Sequence, residues 1–224
     1  MKNNNNFTRQ RDQVMHVGSQ APFSLHNNKA RHKFKTLSRI VLDAIAFLAL
    51  SAILAGLLHL GYFCFMRAAY PVKYNDFVTH YANMYGFEPS LAFAIIRTES
   101  GFDSDAVSHA NALGLMQITR DTFDWAQSRT PGNENLPHDR LFDPETNIQY
   151  GLFVLSLLRE EFSDTHTMLA AYNAGIGNVR KWLKDSECSD DGVTLKYIPY
   201  NETRCYVKKV PTAKKIYEKL YDFE

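Results

Sequence analysis

The run Leu91-Ala92-Phe93-Ala94-Ile95-Ile96 is apolar on every face of a helix, and three residues later it reaches Glu99, followed by Ser100-Gly101. A helix apolar all round is a core helix. A carboxyl at its C-terminal end holds its proton for two reasons. Lost water disfavours the anion, and so does the negative end of the helix dipole. At an ordinary pKa of about 4.3 only a fraction of a percent of such groups carry a proton at pH 7, whereas at about 6 roughly a tenth do. Glu99 is thus suited to protonate a leaving oxygen as a general acid. Alone, it reads as well as a solvated residue at a frayed helix end.

Three further segments carry groups of a kind that saccharide grooves use, aromatic faces with amide donors and acceptors beside them. They are Gly114-Leu115-Met116-Gln117, Ala171-Tyr172-Asn173-Ala174-Gly175, and Ile198 to Val207, which holds Tyr200, Glu202 and Tyr206. Each has a plainer reading: Tyr172 and Met116 as core, Asn173 as a cap. The eight histidines are scattered singly, without the H-E-x-x-H or C-x-x-C spacing of a metal site, so no metal is expected. Gly175-Ile176-Gly177 follows a helix and has no lysine, which sets it apart from a phosphate loop.

The elements that position these groups are helical. A helix over Asn75–Tyr85 ends at Gly86, Ser90 caps the Glu99 helix, and Thr119 caps a segment through Trp125. Asp143-Pro144 starts a long helix, Thr165 or Thr167 another, Val179–Leu183 lies in another, and Pro211-Thr212 opens a last one. Residues Val193–Tyr200 suit a short extended piece. The fold class is mainly α.

The charge is divided along the chain. Residues 1–39 carry eight Lys and Arg against Asp12 alone and have no apolar periodicity, as an unstructured tail does. Residues from Arg67 onward hold 17 Lys and Arg against 22 Asp and Glu. The net +1 of the whole gives no reason to expect a nucleic-acid partner. Between the two parts, residues 40–66 are apolar save Asp43 and His59, enough at about 1.5 Å per residue to cross a hydrocarbon core of about 30 Å. A cleaved signal has a shorter apolar region and a small-residue site after it. An uncleaved single-pass anchor is therefore expected. Arg31, Lys33, Lys35 and Arg39 outnumber Arg67 and Lys73 across it, which keeps the N-terminus cytoplasmic and the rest outside. Residues 67–73 are a short linker stiffened by Pro71, and residues 74–224 form one domain. Cys188 and Cys205 could pair outside the cytoplasm or stay free.

Taken in order, Glu99-Ser100-Gly101-Phe102, Gly114-Leu115-Met116-Gln117, Ala171-Tyr172-Asn173-Ala174-Gly175 and Glu202-Thr203-Arg204 with Tyr206-Val207 resemble the soluble lytic transglycosylase (SLT) catalytic-domain family. Leu141 to Ile148 looks like that family's linking helix. The resemblance covers about Tyr74 to Val210 and implies a goose-lysozyme-like helical domain that cuts peptidoglycan glycan strands. It implies Glu99 as the single catalytic acid and base, Ser100 in contact with Glu99 or the sugar, and Met116 and Gln117 on the groove floor. Tyr172 and Asn173 would contact the saccharide at the scissile bond, Tyr206 would orient Glu99, and Glu202 would support it. Most glycosidases use two carboxylates. In this family's mechanism the acetamido group of N-acetylmuramic acid assists, that sugar's own 6-hydroxyl closes a 1,6-anhydro ring, and no cofactor is required. Asp103 or Asp105, otherwise turn residues, would be the groups to activate water in a hydrolytic muramidase. A non-catalytic glycan-binding scaffold is the other alternative.

Overall fold

The computed structural model describes residues 23–130 and 135–223, with side chains from Arg31 onward within the first helix. Lys2, Arg9, Arg11 and Asp12 of the expected tail lie outside the described residues. The chain divides into two compact units, residues 1–61 and 62–224.

The first unit is described by its part of one uninterrupted helix, α1 (Phe23–Ala69). Residues 23–39 are thus helical where an unstructured tail is expected from the sequence. Neither Pro nor Gly occurs between Pro22 and Gly56, so nothing in the basic stretch stops a helix that the apolar run has started. Arg31–Ala69 contains an 18-residue window of mean hydropathy 2.4, none of it buried. It is the one described helix long and apolar enough to cross a membrane.

The second unit holds α2 (Asn75–Met84), α3 (Pro89–Glu99), α4 (Arg120–Gln127), a 3₁₀ turn (His138–Phe142), α5 (Pro144–Glu161), α6 (Thr165–Ala174), α7 (Ile176–Trp182) and α8 (Asn201–Leu220). Among the described residues there is no strand, only isolated antiparallel bridges Val107–Leu113 and Leu113–Ile118 in the α3–α4 loop. The class is mainly α. Local chemistry explains most boundaries. Thr119, Asp143 and Asp164 each accept a hydrogen bond from a first-turn backbone N–H, at Thr122, Thr146 and Thr167. Ser90 is not the cap of α3. Pro89, with φ preset and no N–H to leave unpaired, starts the helix two residues earlier, after Glu88. Residues 193–200 form no ladder, because the Asp191 carboxylate takes the N–H groups of Val193 and Thr194 at 2.8 and 2.7 Å. Pro211 opens no new helix but lies inside α8. The interior position loses one backbone hydrogen bond, and the packing of α8 on its neighbours holds the helix through it.

That packing centres on α3, whose residues Ala92 to Ile96 are fully buried. Of all element pairs, α3 and α8 make the most extensive contact. They run antiparallel: Phe93 meets Tyr217 with ring centroids 5.5 Å apart, while Glu99 at the other end adjoins Tyr206. Residues 67–73 are no free linker. Tyr217 donates to the Pro71 carbonyl at 3.0 Å and Tyr221 to that of Tyr70 at 2.8 Å, while Arg97 Nε donates to the Ala69 carbonyl at 2.9 Å.

α5 shapes the loop that faces Glu99. Asn147, fully buried, accepts from Met116 N at 2.7 Å and donates to the Leu113 and Leu141 carbonyls at 2.9 and 2.8 Å. Gly114 sits at φ 73, and a Cβ there would collide with Asn147 Nδ2 and Leu141 O. Gly151 similarly leaves room for the Met116 side chain. Asn147→Ala is expected to strand two buried backbone groups, Met116 N–H and the Leu141 carbonyl, while the Leu113 carbonyl keeps the hydrogen bond it accepts from Ile118 N at 3.1 Å. At about 1–3 kcal/mol for a group so stranded, partly relieved by relaxation, the loss is about 2–4 kcal/mol, or a fall in Tm on the order of 10 °C. Thermal unfolding checks this; a loss under about 1 kcal/mol would mean the loop holds its shape without Asn147.

Candidate active site

Glu99 opens into a cavity of about 240 Å³ whose walls include Gln117, Trp125, Tyr172, Asn173 and Glu202. The groove runs between the α3–α4 loop and α4 on one side and α6 with the start of α8 on the other. Glu99 is the last residue of α3, with its carboxyl mostly enclosed. Burial is the main reason its pKa rises to about 7, and the nearby Glu202 charge raises it further. The Tyr206 hydroxyl works in the opposite direction by favouring the carboxylate. That hydroxyl is itself buried and closes no hydrogen bond of normal geometry, so its contact with Glu99 falls short of a full bond. An unsatisfied buried hydroxyl is costly, and a small shift toward Glu99 would satisfy it when the carboxylate forms.

The other predicted residues take distinct positions. Tyr172 donates its hydroxyl to the Met116 carbonyl at 2.7 Å, and burial with the Glu99 charge keeps that phenol neutral, its pKa far above 10. Asn173 accepts from Thr203 Oγ1 at 2.8 Å, which leaves the amide NH₂ free to donate into the groove. Gln117, at φ 51, spends its NH₂ on the Gly114 and Ala106 carbonyls at 2.9 and 3.2 Å. Its carbonyl oxygen remains as an acceptor on the groove wall. Glu202 is exposed on the first turn of α8 and lines the same cavity.

Ser100 and Met116 do not line it. The Ser100 hydroxyl donates to the Leu115 carbonyl at 2.8 Å and accepts from Phe102 N at 3.2 Å, tying the end of α3 to the loop. The Met116 side chain is fully buried beside Gly151 and contributes its backbone carbonyl to Tyr172 instead. Asp103 and Asp105 also stay out of the cavity lining. Asp103 accepts from the Asp105 N–H at 3.0 Å and so forms a turn. Phe102, Asn111 and Gln117 have positive φ, so three of the four such non-glycine residues among the described ones fall in this one loop. Backbone strain of this kind persists only where surrounding contacts enforce it, as at ligand sites.

Sequence reasoning missed Trp125, Thr203 and Asn147. Trp125 had a signal: Phe123 and Ala126 are core residues of α4, so a residue between them points to another face. Thr203 and Asn147 act through partners distant in sequence, which no local pattern reveals. Among the described residues no group of three or more His, Cys, Asp or Glu side chains gathers to hold a metal. Cys188 is buried and Cys205 exposed, both as free thiols.

Comparison with known proteins agrees with this geometry. Residues 76–192 match the model of the transglycosylase SLT domain. The soluble lytic murein transglycosylase of Salmonella typhimurium is 37% identical over 154 residues, which cover 65% of this chain and 23% of that one. The membrane-bound lytic murein transglycosylase C of Klebsiella pneumoniae is 32% identical over 168 residues, 66% of this chain and 47% of that one. The chain thus spans a quarter to a half of the relatives' length. The crystal structure of the 70 kDa soluble lytic transglycosylase from Escherichia coli superposes with a TM-score of 0.60 at 32% identity, covering 69% of this chain and 25% of that one. An inactive mutant of a Pseudomonas aeruginosa lytic transglycosylase gives 0.56 at 34% identity, covering 67% and 25%. With a matching family model over more than half its length, this chain belongs to the transglycosylase SLT domain family.

Proposed function

We propose that the chain is a membrane-anchored lytic transglycosylase that cleaves the β-1,4 bond between N-acetylmuramic acid and N-acetylglucosamine in peptidoglycan. The observation that carries this reading is Glu99, a mostly enclosed carboxyl held near pKa 7 at the floor of a groove lined by aromatic and amide groups. In the proposed reaction protonated Glu99 gives its proton to the leaving glycosidic oxygen as the bond to the muramic anomeric carbon breaks. The acetamido oxygen of that sugar supports the carbon. The Glu99 carboxylate then takes the proton of the 6-hydroxyl, whose oxygen closes the anhydro ring. No water is consumed, and internal attack benefits from a high effective molarity. The phenols of Tyr172 and Tyr206 frame the carboxyl, and Asn173 and Gln117 offer a donor and an acceptor to the sugars. Ser100 and Met116 hold the floor in shape from behind, and Glu202 tunes the charge of Glu99. The turn formed by Asp103 and Asp105, outside the cavity lining, favours this reading over hydrolysis.

Membrane attachment is the second part of the proposal. The apolar length of α1 supports one crossing, with the basic flank of Arg31, Lys33, Lys35 and Arg39 inside and the groove outside.

Glu99→Gln is expected to abolish cleavage of purified sacculi while glycan binding persists, since the amide fills the space but delivers no proton. Retention of more than a few percent of activity would defeat the single-acid mechanism. The same variant should be more stable than the wild type at pH 8 but not at pH 4. A carboxyl with folded pKa near 7 is fully tolerated below its unfolded pKa and loses stability as pH rises through 7. Thermal unfolding at the two pH values checks this; equal differences at both would mean Glu99 is not desolvated. Mass spectrometry of wild-type products should find 1,6-anhydro ends. Products heavier by one water would move the reading to a muramidase.

A further inference from the structure

A second concavity, about 480 Å³, lies between α3 and α8, and its lining shares no residue with the groove. Its walls include Arg97, Lys208, Lys209, Thr98, Thr212 and Tyr70. Among the described residues none of its three cations forms an ion pair. This is unusual in a unit whose acids outnumber its bases by 22 to 17 from Arg67 onward. Arg97 is fixed in place: its guanidinium stacks 3.9 Å from the Tyr70 ring centroid while Nε donates to Ala69 O. Among the described residues the remaining guanidinium donors find no hydrogen-bond acceptor. A preorganised guanidinium with two lysines and no carboxylate is a site for a phosphate-like anion.

The position of Tyr70 indicates the source of that anion. It follows directly on the last residue of α1 and stands four residues after Met66, the end of the apolar run, about 6 Å of helix. Lys208 and Lys209 come from a distant part of the sequence, so they are not part of the charge flank that orients the anchor. We propose that this pocket binds the phosphate of an anionic phospholipid headgroup. The proposal rests on the reading of α1 as a membrane anchor.

The test uses the full chain. Native mass spectrometry of the detergent-solubilised protein, titrated with phosphatidylglycerol or phosphatidylcholine, should find one phosphatidylglycerol retained preferentially. Lys208→Gln/Lys209→Gln should weaken it roughly 10- to 30-fold, at about a factor of five per cation near a membrane surface. Lys181→Gln/Lys184→Gln, an equal change of charge elsewhere, should stay within about twofold. Equal loss in both double variants, no preference for phosphatidylglycerol, or displacement of the lipid by an equal concentration of inorganic phosphate would each overturn the proposal. A carbonate wash of reconstituted vesicles separates the two readings. If the chain is extracted, the anchor reading fails and the lipid site with it; if it stays but shows no lipid preference, only the pocket proposal fails.

Discussion

The enclosure of one carboxyl by two antiparallel helices governs the rest of this domain. α3 can bury every side chain from Ala92 to Ile96 because α8 lies along it and α2 packs beside it. Glu99, at the end of that helix, is carried into a dry setting that it would not choose as an anion. The hydrophobic packing of α3 offsets this cost, and the unfavourable burial is the source of reactivity. The partner helix supplies the two groups that adjust it, since Glu202 and Tyr206 stand one turn apart on the same face near the start of α8 and act on the carboxyl in opposite directions. Packing and tuning therefore come from the same contact.

The opposite wall depends on a polar organiser instead. Asn147 saturates its side chain with backbone groups from three places, and Gly114 and Gly151 keep clear the space this needs. The loop from Ser100 to Thr119 can then hold positive φ at Phe102, Asn111 and Gln117. It presents Gln117 to the groove while Ser100 and Met116 lock it from behind. Thr203 does the same for Asn173 across the α6–α8 contact. Groups that touch the cavity are thus held by groups that do not.

Much of this was legible in the sequence, for identifiable reasons. The all-apolar run before Glu99 announces a buried helix, and the Thr119 and Asp143 caps mark helix starts by local hydrogen bonding. The Ser90 cap failed because Pro89 is a stronger local signal. The break at Pro211 failed because a helix packed along α3 tolerates an interior proline that an isolated helix would not. Residues 67–73 looked like a linker because nothing local shows that Tyr217 and Tyr221, about 150 positions later, would bond to their carbonyls. Asn147 and Thr203 were out of reach for the same reason. Met116 and Ser100 could be matched to a motif, but their distance from the groove surface depends on the packing of the loop.

The central claim is that the fold holds Glu99 protonated to about neutral pH. Its direct measurement is the titration of the Glu99 side-chain carboxyl carbon by NMR in ¹³C-glutamate-labelled full chain, with Glu99→Gln used to assign the signal. The expected pKa is about 7, higher in Tyr206→Phe and lower in Glu202→Gln. A midpoint at the ordinary glutamate value of about 4.3, unmoved by either substitution, would contradict it.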